Sequence, residues 1–358
     1  RIFGSIDIYQ KTSKELLFEV PLPLVSGGGN LTTNVGSVRN RGIEISLTTV
    51  NIDTKDWNWQ TTFNFAHNKN EVREINGLSD QLLNGTTNSL FVGYSASNVG
   101  SYEWDGIVAD RMMTVPDHAI AKAMGFTPGQ EVREYDYYYK CYSLTEGQPW
   151  IVDRDGNGTI DNEDKTINRR DPAWTGSVTS NLSWKNWDFS FSIYAKQNYK
   201  VFSNFLNGDI LAMNDRGRNK LALDWYIPAG TLIDVDGVNA DGTYINPKYQ
   251  ETTHYGEYPF PNNGGLNSGV GTQKGYWDEA KAVVDASYVK VKNITLGYTI
   301  PKSILSKFGC KHLRLYATVT NPFVFTKYKG FDPEWADAAA KYDGPSTVTY
   351  QFGASIKF

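Results

Sequence analysis

Residues 348–358, at the end of the chain, read VTYQFGASIKF, and apolar side chains alternate with polar or small ones throughout. A period of two places successive side chains on opposite faces of a β-strand. The same alternation fills other segments, namely 43–48, 57–65, 178–184, 187–193 and 313–320. The sequence therefore predicts an all-β protein of long antiparallel strands, each with one apolar and one polar face.

Composition narrows the classes of protein that such strands can form. The 358 residues carry a net charge of −4, so the chain lacks the basic excess typical of nucleic-acid binding. Aromatic residues make up 14% of the sequence, which argues against disorder. No apolar run approaches the roughly 18 residues of a transmembrane helix. In a membrane-spanning β-strand, however, apolar and polar side chains alternate, so its mean hydropathy is polar. A transmembrane β-barrel therefore remains open, whereas two cysteines are too few for a disulfide framework.

The connections between predicted strands fall into two groups by length. Strands are expected near 1–11, 36–51, 57–71, 173–184, 186–199, 287–299, 312–324 and 346–358. Short turns at 53–56, 185–186 and 301–309 alternate with long segments at 12–35, 72–172, 200–286 and 326–345. Compact soluble domains rarely contain unstructured connections longer than about 15 residues. Outer-membrane barrels combine short periplasmic turns with long extracellular loops, so the pattern favours a barrel with a periplasmic C-terminus over a soluble β-sandwich.

Side chains within the strands also fit a membrane. In a wide barrel the apolar side chains face lipid and the polar ones face a hydrated lumen. Four tryptophans lie beside two of the short turns, namely Trp57, Trp59, Trp184 and Trp187. This placement is typical of an aromatic girdle at a membrane interface. The alternative is that these side chains pack in a soluble core. The alternation changes phase within 289–298, which predicts a β-bulge near Lys292-Asn293.

The most specific chemical motif is the twelve-residue loop 153–164, DRDGNGTIDNED. Calcium prefers a cage of hard oxygen donors, supplied in such loops by positions 1, 3, 5, 7, 9 and 12 around a glycine at position 6. These positions hold Asp153, Asp155, Asn157, Thr159 (through its backbone carbonyl), Asp161 and Asp164, and Gly158 occupies position 6. The loop is therefore predicted to bind a structural calcium ion.

Two features of this loop depart from the common calcium-binding pattern. Asp164 replaces the bidentate Glu of position 12, and no clear helix flanks each side of the loop. Ile160 at position 8 is expected to anchor the loop on apolar neighbours. The alternative is a solvated turn rich in Asp, Asn and Gly. The expected role of the ion is to neutralise clustered carboxylates and to stiffen a very long loop.

Motifs for catalysis are missing, so no enzymatic activity is predicted. The histidines at 67, 118, 254 and 312 lack zinc-site spacing, and neither a nucleophile elbow nor a P-loop occurs. A glycan hydrolase that uses two of the many carboxylates is a third hypothesis. The predicted topology places Cys141 and Cys310 on opposite sides of a bilayer, so they are not expected to form a disulfide.

Several of these stretches resemble the C-terminal region of the SusC/RagA family of TonB-dependent outer-membrane transporters. The resemblance lies in residues 34–44, 287–301 and above all 321–334, which contains Asn321-Pro322-Phe323 and Phe331-Asp332-Pro333-Glu334. The loop 153–164 and the terminal aromatic Phe358, which is similar to an outer-membrane insertion signal, extend it.

The resemblance implies a barrel of about 22 strands, of which residues 1–358 form the C-terminal part, with the N-terminal plug and the upstream strands absent. It also implies a SusD-like surface lipoprotein, energy supplied by TonB through the missing plug region, and oligosaccharide or peptide substrates. The protein is then a multi-pass component of the outer membrane, in contact with its lipid. Because an open first strand is not viable in lipid, Arg1–Lys11 is expected to pair with an upstream strand.

The leading functional hypothesis is thus part of a nutrient importer, and the alternative is a calcium-stabilised binding or adhesin barrel without transport. Aromatic side chains of the long segments could stack on sugars, pack against a lid or stabilise the loops themselves, so they define no substrate site. They are Tyr102, Trp104, Trp225, Tyr226, Tyr255, Tyr258, Tyr276 and Trp277.

Overall fold

The computed structural model describes residues 1–21, 30–75, 81–82, 90–203, 206, 224–260, 274–305, 309–336 and 346–358. Eight antiparallel strands form one sheet in which every neighbour in space is also the neighbour in sequence. They are β1 (Ile2–Pro21), β2 (Asn30–Asp53), β3 (Trp57–Ile75), β4 (Trp174–Trp184), β5 (Trp187–Gln197), β6 (Tyr288–Thr299), β7 (His312–Thr326) and β8 (Thr349–Lys357). The predicted all-β fold of about eight strands is confirmed.

The strands β1 and β2 are longer than expected. The sequence predicts a connection over 12–35, but β1 continues to Pro21 and β2 begins at Asn30, so that part of the prediction is wrong. The two strands stay paired, with a register irregularity between Ser13 and Leu17. Continued backbone pairing satisfies the hydrogen-bonding groups of this segment even though its side chains lose strict alternation.

The three turns predicted as short, at 53–56, 185–186 and 301–309, lie along one edge of the sheet, which is called the short-turn edge here, whereas β1 and β2 are joined at the opposite edge. The pairs Trp57↔Trp184, Trp187↔Tyr298 and His312↔Lys357 place these turns side by side. The long connections leave from the opposite edge. They include residues outside the described ranges, so the predicted loops 72–172, 200–286 and 326–345 are described only in part.

The two faces of the sheet differ as the alternation predicts. One cross-strand row is apolar and consists of Trp59, Leu182, Phe189, Leu296, Ala317 and Phe352. The neighbouring row points to the other face and is polar, with Gln60, Asn181, Ser190, Thr295, Thr318 and Gln351. Large members of the apolar row are exposed, Phe352 by 80%. An exposed apolar face fits a barrel wall in lipid better than half of a soluble sandwich.

Aromatic rings line the short-turn edge on the apolar face. The rings of Trp57 and Trp184 stack with centroids 5.4 Å apart, and those of Trp187 and Tyr298 lie 4.6 Å apart. Each pair spans two adjacent strands at the same height in the sheet. This geometry matches the girdle that the tryptophan positions predict.

The predicted β-bulge is present in β6. Val291 pairs with Ile193 and Asn293 with Ser192, which leaves Lys292 as the extra residue. The bulge returns Ile294 to the apolar face and keeps Lys292 beside polar neighbours.

The chain divides into two compact units, each described here by itself. The first contains residues 1–100, 167–202 and 284–358 and is built on the sheet. It also contains α4 (Lys302–Leu305), within a short connection, and the short strands Gln81–Leu82, Leu90–Phe91 and Lys200–Phe202. Residues Asn98–Ser101, Thr166–Arg169 and Val283–Asp285 are further short strands, at the limits of this unit.

The second unit contains residues 101–166 and 203–283 and is called the loop unit here. Its helices are α1 (Ala119–Ala123), α2 (Glu134–Tyr142) and α3 (Lys274–Ala282); α3 begins four residues before the helix expected at 278–284. Four short strands form two pairs in its first segment, and four more form two pairs in its second. They are Trp104–Ile107, Met112–Thr114, Glu131–Arg133, Pro149–Ile151, Leu232–Asp234, Gly237–Val238, Tyr244–Ile245 and Lys248–Tyr249, and a 3-10 helix spans Asn162–Asp164.

The core of the loop unit is formed by side chains from its first segment. Tyr137, Tyr138 and Cys141 on α2 pack with Val108 and Leu144. Cys141 and Cys310 form no disulfide in the described structure. Among the described residues, no α-helix has the length and apolar character that crossing a bilayer demands.

Candidate metal centre

The predicted calcium loop lies in the loop unit, between the short strand Pro149–Ile151 and the 3-10 helix Asn162–Asp164. Gly156 and Gly158 adopt φ angles of 70° and 90°, in the left-handed region that favours glycine. A Cβ atom on Gly156 would lie 2.7 Å from the ring of His118, and one on Gly158 would lie 2.7 Å from Ile120. The two glycines therefore allow the loop to fold tightly against α1 and the residue before it.

The fold of the loop brings three carboxylates together. Oxygen atoms of Asp153, Asp155 and Asp164 all lie within 4.8 Å of one another. Asp153 and Asp164 are buried, with 4% and 0% of their surface exposed, whereas Asp155 is exposed. Three hard oxygen donors that converge from positions 1, 3 and 12 form a suitable partial cage for a divalent cation.

Backbone groups fix the orientation of the two buried carboxylates. Asp153 accepts hydrogen bonds from the N–H groups of Gly156 and Gly158, both at 2.7 Å. Asp164 accepts from the N–H groups of Arg154 and Asp161, at 2.7 and 2.9 Å. These bonds preorganise the carboxylates at the two ends of the loop.

Two further predicted ligands form local hydrogen bonds within the loop. Asn157 uses its amide oxygen to accept a hydrogen bond from the N–H of Thr159. Asp161 caps the 3-10 helix by accepting from the N–H of Glu163 at 2.8 Å. Of the four carboxylates among the six predicted ligands, the structure brings Asp153, Asp155 and Asp164 together. It also buries Ile160, as its predicted role as an anchor requires.

A contact that the sequence analysis missed supports Asp153 from α2. The hydroxyl of Tyr142 donates a hydrogen bond to Asp153 at 2.9 Å. Burial raises the pKa of Tyr142, and the nearby Tyr137 and Asp153 raise it further, so this hydroxyl stays protonated as a donor. No local motif predicts the contact, because it depends on how α2 packs against the loop.

The charge of the site is not balanced by side chains of the loop. Arg154 pairs with Glu103 at 2.6 Å, and Lys165 pairs with Glu279 at 3.0 Å. Within the described residues, neither Asp153 nor Asp164 forms an ion pair with a cationic side chain. Buried carboxylates are costly unless a cation or a hydrogen-bond network compensates them, so the donor set and its charge fit a divalent metal ion.

A second cluster of charged side chains lies in the first unit, which is called the sheet unit here, and the sequence analysis did not predict it. Lys290 on β6 is fully buried and contacts Asp332 at 2.8 Å and Glu334 at 2.6 Å. Lys292 and the hydroxyl of Tyr288 also bind Glu334. These contacts fix residues 331–334, the most distinctive part of the family resemblance, against β6.

Electrostatics at this cluster favours charged carboxylates. Burial alone would raise the pKa of Asp332 and of Glu334, but hydrogen bonds from Lys290 lower both pKa values below the ordinary range. For Glu334, Lys292 contributes to the same lowering. The cluster is therefore a network of two cations and two anions at neutral pH.

Comparisons with known proteins agree with this architecture. No protein-family model matches the chain. The TonB-dependent receptor SusC of Bacteroides thetaiotaomicron is 29% identical over 368 residues, an alignment that covers 100% of the chain and 30% of SusC. The TonB-dependent receptor P39 of Formosa agariphila is 29% identical over 353 residues, an alignment that covers 93% of the chain and 31% of P39. The structure of the RagAB peptide transporter superposes with a TM-score of 0.64 at 21% identity, covering 100% and 34%.

The long antiparallel strands, their two contrasting faces and the alternation of short and long connections define the class, which is part of a transmembrane β-barrel. Within that class, the chain is similar to TonB-dependent receptors such as SusC and, in its fold, to the RagAB transporter, in agreement with the resemblance of the residues quoted above. It spans about a third of the length of the curated relatives that it matches.

Proposed function

We propose that the chain is the C-terminal part of the barrel of an outer-membrane nutrient importer, which takes up oligosaccharides or peptides. The observation that carries the proposal is the two-faced sheet with these three short turns on one edge. An apolar outer wall and a polar inner wall suit passage of a hydrophilic solute through a membrane. The similarity to two TonB-dependent receptors supports energy input through TonB.

The proposed orientation places the short-turn edge and the C-terminus in the periplasm. The aromatic girdle then lies at the inner interface of the outer membrane. The loop unit lies on the cell surface, where long loops of such barrels are found.

The remaining parts of the importer lie outside the chain. In the described structure, β1 pairs with β2 and its other edge has no partner strand. Unpaired backbone is not stable in lipid, so we propose that Arg1–Lys11 pairs with an upstream strand. A plug domain, contacted by TonB, and a SusD-like surface lipoprotein complete the proposed assembly.

We further propose that calcium is the resident ion of the loop 153–164. Asp153, Asp155 and Asp164 would hold it, with Asn157, the Thr159 carbonyl and Asp161 completing the set after local adjustment. The ion supplies positive charge and rigid coordination, and no transport step is assigned to it. Its contribution is to stabilise the surface loop in which it binds.

Uptake by intact cells tests the proposal. Cells lacking the gene for the full-length protein should lose uptake of one class of labelled nutrient, either oligosaccharides or oligopeptides, and complementation should restore it. A protonophore should abolish the same uptake, because TonB-dependent transport uses the proton-motive force. The full-length protein should also co-purify with a surface lipoprotein. Uptake of both classes that is unchanged by deletion would refute the importer.

The alternative function is a calcium-stabilised binding or adhesin barrel. It is favoured only by the size of the loop unit and its metal site. In that case surface binding of a ligand would persist with a protonophore, and no nutrient would enter the cell.

A further inference from the structure

The candidate metal loop is connected to more of the loop unit than its own segment. α1 donates a hydrogen bond from the N–H of Ile120 to the carbonyl of Gly156 at 3.0 Å. α2 contacts Asp153 through Tyr142. α3, which belongs to the other segment of the unit, is reached through Lys165, the residue directly after the ligand Asp164. Within the described residues, the loop therefore contacts α1 and α2 directly, and α3 through the residue that follows it.

The contact with α3 is an ion pair with little exposure to solvent. The ammonium group of Lys165 lies 3.0 Å from one oxygen of Glu279 and 3.1 Å from the other. The two side chains are only 11% and 16% exposed. The same ammonium group lies 4.6 Å from the ring centroid of Tyr102, and burial together with Glu279 raises the pKa of Tyr102 to about 12.

Aromatic rings continue the contact between the two segments. Tyr102 meets Tyr276 edge to face with centroids 5.0 Å apart, and Trp104 meets Trp277 at 5.8 Å. Trp277 is fully buried. Lys165 thus lies at the junction of the metal loop with an aromatic interface that joins residues 101–166 to residues 203–283.

We infer that metal occupancy of the loop controls the docking of α3, with Lys165 as the connecting residue. This inference rests on the proposed calcium site. With the cation bound, the loop carboxylates are compensated and Lys165 is available to Glu279. Without it, two buried carboxylates need a positive charge. The adjacent cations are Arg154 and Lys165, of which Lys165 is the one that pairs with α3. Lys165 therefore turns toward the carboxylates, and Glu279 loses its partner.

Hydrogen exchange on the full-length protein in detergent measures this coupling. Calcium removal by a chelator should accelerate exchange in residues 153–164 and also, by at least about tenfold, in α3. The hairpin 232–249, in the same segment as α3, is the internal reference. Its ion pair between Lys248 and Asp234 is exposed, and its exchange should not respond to calcium.

Variants separate coupling from metal binding. Glu279→Gln and Lys165→Met should make exchange in α3 fast and insensitive to calcium, while terbium binding and protection of 153–164 persist. Lys248→Met is the matched control and should behave as wild type. Asp155→Asn removes an exposed ligand without altering the buried core, and should abolish terbium binding and reproduce the exchange pattern of the metal-free protein.

Each outcome has one meaning for the two proposals. If calcium protects 153–164 but leaves α3 unchanged, the coupling is refuted and the metal site stands. If neither calcium nor terbium binds, both the metal site and the coupling fail. If Glu279→Gln leaves the calcium response of α3 intact, Lys165 is not the connecting residue and the inference is overturned.

Discussion

Replacement of Lys290 by methionine is the most demanding test of how the sheet unit holds residues 331–334. Lys290 and Asp332 have side-chain exposures of 0% and 2%, so solvent screens their interaction very little. Removal of one partner from a buried ion pair leaves an uncompensated charge, at a cost of about 3–5 kcal/mol. Glu334 keeps Lys292, whereas Asp332 keeps no cation among the described residues. The opening equilibrium of this segment should therefore rise by roughly 10²- to 4 × 10³-fold.

Hydrogen exchange in residues 327–336 of the full-length protein measures this opening directly. Lys248→Met serves as the control, because the two side chains of its ion pair with Asp234 are 64% and 55% exposed, so solvent screens their attraction and the pair should contribute little. The double variant Lys290→Met with Asp332→Asn should recover part of the lost protection, since it removes the stranded charge. If Lys290→Met perturbs exchange no more than Lys248→Met does, the cluster does not hold the segment and the reasoning is wrong.

Three further predictions concern this cluster, the metal loop and the packing of the sheet. The pKa values of Asp332 and Glu334 are lowered, so the stabilisation that these carboxylates give to residues 327–336 should be constant above the ordinary pKa values of 3.8 and 4.5. It should disappear as the pH falls below them. Hydrogen exchange of 327–336 from pH 7 to 3 checks this prediction, and opening already at pH 6 would contradict it. Tyr142→Phe removes the hydroxyl that supports Asp153 and should weaken calcium binding roughly tenfold or more in calorimetry, while an unchanged affinity would show that the hydroxyl does not matter. Gly297→Ala places a methyl group against the ion pair of Asp188 with Arg314, which lie on the two strands that flank β6. This substitution should destabilise the barrel by about 1–3 kcal/mol in thermal unfolding. An unaltered unfolding transition would refute this packing.

The sheet is predictable from the sequence because one face of each strand is apolar and the other polar. That contrast repeats every second residue, so a change of phase is visible as well, and it correctly located the bulge at Lys292. The limits of β1 and β2 were harder to predict. Beyond residue 12 the strands continue to pair without strict alternation, and the periodic signal on which the prediction depends is lost.

The site is predictable only where its groups are close in sequence. Asp153, Asp155 and Asp164 were found because a calcium loop concentrates its donors within twelve positions. Lys165 and Glu279 are 114 positions apart, and Lys290 and Asp332 are 42 apart. Neither spacing has a motif, since the contacts depend on how long connections fold back, and single charged residues in loops are most often solvated.

Two groups of acidic side chains differ in how their charge is compensated, and the contrast supports the proposal that a metal ion binds at only one of them. At β6, Asp332 and Glu334 meet Lys290 and Lys292, so two anions face two cations supplied by the protein. In the loop 153–164 the nearby cations are engaged elsewhere, Arg154 with Glu103 and Lys165 with Glu279. A lysine paired with Asp153 or Asp164 would compensate their charge without a metal ion. The stability of the loop would then not depend on the binding of an ion. Because Lys165 pairs with Glu279 on α3 instead, the proposed calcium ion would become part of what holds the two segments of the loop unit together.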